Sequence, residues 1–428
     1  MVRRFFAASF FFVLSACVAP VLPGSPLPRW VPGRVLVKFR DDGSPARIKD
    51  ARIRIGAQTW ERLPLANAEL LSLDGTVDVP AALDRLREFD DVVEYAEPDF
   101  LFDPAGTPAE YDPDLLWGLA KIDAPEAWAR SEGDRDVVVA VIDSGFDESH
   151  RDLTANLWTN PNEIADGKDD DGDGYPDDLH GWDFVNGTPD VKDVAAHGTA
   201  VAGTIGAVGG NGGIVGVAPR VALMDLKVLG ADGGRASDAI RAIAFAQEHD
   251  ALLINASWGG RGYSNALRTA ITKAGEAGIL FIAAAGNGAQ NGIGENTDRS
   301  PVFPAAYGLP NVISVAASDS HDELAAFSNY GPSSVDLAAP GVGIISTAPG
   351  DRYAYYEGTS LAAPHVTGAA VLLLTTEPEI TVDQLKQALL ASVKKGPALN
   401  GRIASGGRLD LPAALSAAHD LVTRGVAN

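Results

Sequence analysis

Val137, Val138, Val139, Ala140, Val141 and Ile142 form a β-branched apolar run that ends abruptly in Asp143 and the turn residues Ser144 and Gly145. Further short apolar runs, at residues 223–229, 252–255 and 279–282, alternate with stretches of helical character. Strands that alternate with helices in this way pack as a mainly parallel sheet flanked by helices, so the expected class is α/β. Open α/β sheets gather ligands and catalytic groups at the carboxyl ends of their strands. Asp143 stands at such an end, although an Asp that merely starts a turn would read the same way.

Residues 369–374 are apolar throughout and read as a core helix entered through Gly358 and Thr359, with Pro364 tolerated only in its first turns. Ser360 then stands at the positive end of the helix, beside backbone N–H groups that lack intrahelical partners. Such donors can face an oxyanion, while an N-cap serine would look identical. A second helical stretch, residues 197–207, consists almost entirely of small residues and opens with His197. A helix that small packs close to its neighbours. Histidine titrates near neutrality, so it can take a hydroxyl proton and return it to a leaving amine. The chain order is Asp, His, Ser.

That order, with the flanking residues 137–145, 197–207 and 358–366, closely resembles the subtilisin-like serine proteases, the subtilase family. The resemblance extends from about residue 117 to about residue 415 and implies roles for single positions. Ser360 would be the nucleophile, His197 the general base, and Asp143 the carboxylate that orients the imidazole. Residues 283–288, after the strand at 279–282, match the family's oxyanion motif; Asn287 and the backbone N–H of Ser360 would be the donors. Leu361 stands where members most often have Met, a swap of similar size. His365, on the same helix as Ser360, reads as a packed core residue. The resemblance further implies an extended substrate bound between two backbone edges. Gly233 and Gly234 would form one edge, and Ser257, Trp258 and Gly259 the other. Trp258 at the rim and Val302 on the floor would line the primary pocket and favour medium-sized apolar side chains, though either residue could equally be packed in the core.

Arg3 and Arg4 precede an apolar run at residues 5–14 that is too short to span a bilayer and fits a secretory signal. It ends in Leu14, Ser15, Ala16 and Cys17, which resembles a bacterial lipobox, with an ordinary cleaved signal as the alternative. Cys17 is the only cysteine, so a disulfide within the chain is excluded. The expected organisation is a signal peptide with lipobox (1–17), a Pro-rich tether (18–30), a small domain (31–102), a linker (103–114), the large domain (115–418) and a tail (419–428). In the small domain, residues 34–39 and 92–96 read as strands and 80–86 as a helix whose apolar face Phe89 continues. This region resembles subtilase propeptides, which implies an α+β fold that assists folding and then inhibits the enzyme until it is cut away. Lipid on Cys17 would then anchor the propeptide, and maturation would release the catalytic domain.

An acidic insert at residues 169–178 places Asp169, Asp171, Asp173 and Asp177 at alternate positions, with the Tyr175 carbonyl between them. Such oxygens can wrap a hard cation, Ca²⁺ being the expected ion, and His180 departs from an EF-hand by replacing its bidentate Glu. A solvated acidic loop is the alternative. The formal net charge of −23 speaks against nucleic acid as a partner. The expectation is therefore an exported, monomeric serine endopeptidase, made as a membrane-anchored lipoprotein precursor, acting on polypeptides and on its own propeptide. The rival is a non-catalytic calcium-binding surface protein on the same fold, which should have lost at least one of Asp143, His197, Asn287 and Ser360. All four are present.

Overall fold

Val35 and Val37, buried at alternate positions, fix the inward face of the strand β1 (Trp30–Phe39). The computed structural model describes residues 30–63, 67–100, 112–288 and 292–426. The expected signal with Cys17, nearly all of the tether and most of the linker lie outside those residues. The chain divides into two units, Met1–Gly106 and Thr107–Asn428.

In the first unit, β1 is followed by α1 (Pro45–Arg54), β2 (Ala57–Leu63), β3 (Ala68–Leu73), α2 (Val79–Leu86) and β4 (Val93–Phe100). The strands make an antiparallel sheet in the order β2-β3-β1-β4. Val79, Ala82 and Leu86 recur at helical spacing on α2 and share one core with Val35, Val37, Leu71 and Phe89. Asp78 caps α2 by accepting the Ala81 N–H, 2.8 Å. Phe89 is buried as expected, but in a short 3-10 turn after α2 rather than on the helix itself.

The second unit begins with α3 (Trp117–Lys121), α4 (Ala124–Trp128), β5 (Gly133–Asp143), β6 (Gly181–Asp183), α5 (His197–Gly206) and β7 (Arg220–Lys227). A small hairpin, β8 (Leu229–Gly230) and β9 (Gly233–Gly234), precedes α6 (Ala236–Glu248), β10 (Leu253–Ala256), α7 (Asn265–Glu276), β11 (Leu280–Ala284) and β12 (Val312–Ser318). The remainder is β13 (Leu337–Pro340), a hairpin of β14 (Ile344–Ala348) and β15 (Arg352–Tyr356), α8 (Thr359–Thr376), α9 (Val382–Ala391), β16 (Lys394–Lys395), β17 (Gly407–Arg408) and α10 (Leu411–Val426). The residues expected to form a tail after 419 instead continue α10 to Val426.

Nine strands form the main sheet in the order β16-β17-β13-β12-β11-β10-β5-β7-β6, parallel except where β16 meets β17. Both faces are covered, which explains why its strands are apolar without interruption. On β5, Val137, Val139 and Val141 face a core shared with α5, α8, α9 and α10, while Ala140 and Ile142 face a second core under α6 and α7. α8 is long and apolar enough to cross a bilayer, yet 78% of it is buried within the fold, which makes it the central core helix.

Candidate active site and acidic loop

Five elements converge at the carboxyl edge of the parallel strands. β5 ends on Asp143, β10 runs into Ser257 and β11 into Asn287, while α5 and α8 begin at His197 and Thr359. His197 Nδ1–H donates to Asp143 Oδ1, 2.7 Å. That oxygen also accepts the Ser144 N–H, and Asp143 Oδ2 is buried without a partner. Burial alone would lower the imidazole pKa; the charge and hydrogen bond of Asp143, helped by Asp193, more than offset this and raise it. With the proton fixed on Nδ1, Nε2 is left as the base.

The close approach of α5 to β5 depends on Gly198. A Cβ there would lie 2.1 Å from the Gly145 carbonyl oxygen, so any larger residue would push His197 off Asp143. Asp193 completes this corner, and the motif reading missed it. Its carboxylate accepts the N–H groups of Ala195 and Thr199 and the hydroxyl of Ser144, whose oxygen in turn accepts the Gly198 N–H. A carboxylate just upstream of a helix start is the local signal for such a cap.

Ser360 is the second residue of α8. Gly358 precedes it at φ 150, ψ 159, a backbone region open essentially to glycine alone. Pro364 has no N–H for the carbonyl four residues back, which belongs to Ser360. The Ser257 hydroxyl donates to that free carbonyl, 2.8 Å, and the Ser360 hydroxyl donates back to the Ser257 carbonyl, 3.1 Å. Asn255 Nδ2–H donates to Ser257 Oγ, and the Thr367 hydroxyl to Asn255 Oδ1, so a buried polar relay crosses from β10 to α8 beneath the serine. Among the described residues no hydrogen bond joins Ser360 to His197. Ser257 is 3% exposed, and its hydroxyl and carbonyl both bond Ser360 in this structure.

Asn287 is exposed and its orientation is determined by donors. Its Oδ1 accepts both the N–H and the hydroxyl of Thr359, each at 2.8 Å, which leaves the NH₂ group facing the mouth of α8. A Cβ on Gly358 would lie 3.0 Å from that Nδ2 and 3.7 Å from Ser360 Cβ, so the amide sits beside the serine. Ser360 N–H, in the first turn of α8, lacks an intrahelical acceptor. Together these groups can carry out nucleophilic attack with base assistance and oxyanion stabilisation.

Gly233 and Gly234 lie exposed on the β8–β9 hairpin. Gly259 is exposed, and a Cβ on it would lie 2.8 Å from Val302 Cγ1; one on Gly286 would lie 3.5 Å away. Val302, 9% exposed, therefore sits between the two glycines. Trp258 is half-buried: its indole N–H donates to the Ile142 carbonyl, 2.7 Å, and its ring packs on the core under α6. His365 is buried and neutral, its pKa pushed down to about 4 by burial, with Nδ1 on the Leu361 carbonyl.

The acidic loop gathers a different set of residues from the alternate positions. Asp169 accepts the Gly172 and Gly174 N–H groups, and Asp177 those of Asp166 and Gly167. Asp171 and Asp173 likewise accept the N–H groups of Asp173 and Tyr175, so all four expected carboxylates bond the loop's own backbone. The Tyr175 ring anchors the loop among Trp182, Phe184 and Phe245. Asp171 and Asp173 meet His249 in one group, and Asp171 meets Glu163 and Asp178 in another, with ligand atoms within 4.8 Å of one another. Burial pushes Asp173 up to about 6 and Asp178 up to about 7, and Asp173 Oδ2 is buried with no partner. Carboxylates gathered this closely, with His249 as the one basic group beside them, fit a cation. Asp178 and His249 escaped the sequence reading because the former breaks the alternation and the latter lies at the far end of α6.

Comparison with known proteins agrees with this geometry. Residues 134–406 match the subtilase family, and residues 20–99 match the fervidolysin N-terminal prodomain. A thermophilic serine proteinase of Bacillus sp. (strain AK1) is 36% identical over 349 residues, covering 80% of this chain and 78% of that relative. Subtilisin E of Bacillus subtilis (strain 168) is 36% identical over 348 residues, covering 81% and 80%. The crystal structure of fervidolysin from Fervidobacterium pennivorans, a keratinolytic enzyme related to subtilisin, aligns with a TM-score of 0.57 at 27% identity. That alignment covers 90% of this chain and 61% of the fervidolysin chain.

Proposed function

Because this chain belongs to the subtilase family and is a serine protease preceded by a prodomain, we propose that Asp143, His197, Ser360 and Asn287 carry out its peptide hydrolysis. The Ser360 hydroxyl turns from the Ser257 carbonyl to His197 Nε2, which takes its proton as Oγ attacks the scissile carbonyl. Asp143 holds the imidazole in the required tautomer and stabilises the cation that forms. The oxyanion faces the Asn287 amide and the Ser360 N–H. His197 then protonates the leaving amine, and water repeats the sequence on the acyl-enzyme. A non-catalytic role loses its basis, since all four residues are in place and the relatives are proteases.

The observation that carries the assignment is Asn287, whose carbonyl is taken by Thr359 so that only donors remain free. Asn287→Leu is expected to lower kcat by about a hundred- to a thousandfold with little change in KM, because the donor matters only once the oxyanion forms. Steady-state kinetics on a chromogenic peptide check this; a loss confined to KM would reassign Asn287 to substrate binding.

Substrates bind as extended segments between the Gly233–Gly234 hairpin and the residues around Gly259. Val302 fills the floor beside Gly259, so medium-sized apolar residues are the expected preference on the acyl side of the cut. Mass-spectrometric mapping of cleavages in a denatured protein tests this, and dominant cuts after Lys or Arg would refute it.

The prodomain inhibits the enzyme until the chain cuts itself between residues 100 and 114. Export through the signal at 1–17, with lipid on Cys17, would place the precursor at a membrane and free the catalytic unit on processing. The basic and apolar composition of those residues and the single thiol support this part of the reading. The acidic loop holds a structural divalent cation; Ca²⁺ is the ion that its oxygens alone would take.

A further inference from the structure

Asp225 is fully buried on β7, beside Val141 of β5 and two residues before Lys227, which lies beside Asp143. The mechanism above does not use it. Its Oδ2 accepts the Phe146 N–H, 2.7 Å, and its Oδ1 is buried with no partner among the described residues. Phe146 stands three residues after Asp143, at the end of the turn through Ser144 and Gly145. That turn supports the catalytic base. The Ser144 N–H donates to Asp143 Oδ1, Ser144 Oγ accepts the Gly198 N–H, and the Gly145 carbonyl lies against Gly198. Asp225 therefore fastens the far end of the segment on which Asp143 and His197 meet.

Among the described residues no cation pairs with Asp225. The charges that face it are all negative: Asp143 at the end of β5, Glu148 after the turn and Asp193 before α5. Lys227, on its own strand, is paired with Asp183, 2.9 Å, and donates to the Lys192 carbonyl. His180, before β6, has Nδ1 on the Trp158 carbonyl and meets Asp225 only through its backbone carbonyl, which accepts the Asp225 N–H. Burial and these like charges hold the Asp225 carboxyl well above the usual carboxylate range. A neutral carboxyl group is buried at far lower cost than a charged one.

We propose that Asp225 is a positioning residue for the catalytic base, held as a neutral carboxylic acid whose carbonyl oxygen fixes the Phe146 N–H. The proposal rests on the assignment of Asp143 and His197 as the working pair. Neutrality matters as much as the bond. A further negative charge behind Asp143 would favour the imidazolium form of His197 and leave less of it neutral to act as base.

Infrared difference spectroscopy reads the protonation state without any need for activity, comparing the full chain carrying Ser360→Ala with the same chain carrying Asp225→Asn as well. Expected at neutral pH is a protonated-carboxyl band that shifts in D₂O and vanishes with Asp225→Asn; without such a band the neutral acid is overturned. In the chain with Ser360 intact, Asp225→Asn keeps an acceptor for the Phe146 N–H and changes no charge. Its kcat/KM should stay within about threefold of the parent, with the acid limb of the pH profile in place. An acid limb moved to lower pH would show that a negative charge had been removed, and would overturn the proposal. Asp225→Leu removes the acceptor, and kcat should fall at least about tenfold with KM little changed. Asp225→Ala, which removes the acceptor without adding bulk, should show the same loss and replaces the Leu variant if that chain does not fold. A kcat equal to the parent's in either apolar variant ends the positioning role. An inactive parent would instead sink the protease assignment, and the infrared band would still be readable.

Discussion

The Ser360→Ala chain, produced without its first 17 residues, is expected to remain a single uncut polypeptide, while the chain with Ser360 intact separates into prodomain and catalytic unit. Hydrolysis of a peptide substrate should fall about a million-fold, since the nucleophile acts as one unit with its base. The fold should scarcely notice. The Ser360 hydroxyl makes one hydrogen bond, to the Ser257 carbonyl, and its loss costs on the order of 1 kcal/mol. Alanine keeps α8 intact, and the Ser257 bond to the residue 360 carbonyl survives because it uses the backbone. Intact mass spectrometry with a thermal melt distinguishes the outcomes. A variant that melts normally but stays whole establishes Ser360 as the nucleophile of self-processing. A variant cut at the same place and rate as the parent would show that another protease does the cutting.

The chemistry was legible in sequence where it is local. The β5 run ending on Asp143, the small-residue helix after His197 and the turn before Ser360 each show their function within a few residues, because backbone approach and helix entry are local demands. The layered fold was legible for the same reason, since strands covered on both faces must be apolar throughout. What remained hidden depends on which way a side chain turns. Ser257 and Trp258 follow a strand end, and sequence alone does not tell that the Ser257 hydroxyl turns to the Ser360 carbonyl left free by Pro364, or that the Trp258 indole turns to the Ile142 carbonyl. The alternation of Asp169, Asp171, Asp173 and Asp177 suggested one ring of ligands, but the loop's own N–H groups bond every one of these carboxylates, and which oxygens stay free is set by the folded loop. Asp193 and His249 act across the fold, and their spacing in the chain carries no trace of the partners they meet.

Asp143→Asn is the second large effect, and its direction follows from the hydrogen bonds at one oxygen. Asp143 Oδ1 accepts from two donors, Ser144 N–H and His197 Nδ1–H, while Oδ2 is buried without a partner. If the asparagine keeps its carbonyl toward the donors, its NH₂ group is buried where nothing accepts from it, at a cost of about 1 to 3 kcal/mol. If the amide turns over, the NH₂ group faces Ser144 N–H and repels it. His197 must then accept at Nδ1, which puts its proton on Nε2, where it can no longer take one from Ser360. The buried, unpaired NH₂ group weighs against the first arrangement, and the second disables the base, so kcat is expected to fall about ten-thousandfold. The pH profile separates this from a merely structural loss. Asp143 raises the imidazole pKa, and the base works only when neutral, so activity in the parent enzyme grows as pH rises through that raised value. Without the carboxylate charge the pKa falls, and the acid limb of kcat/KM should move to lower pH in the residual activity. A variant that keeps activity within tenfold of the parent, or whose acid limb stays in place, would remove Asp143 from the mechanism.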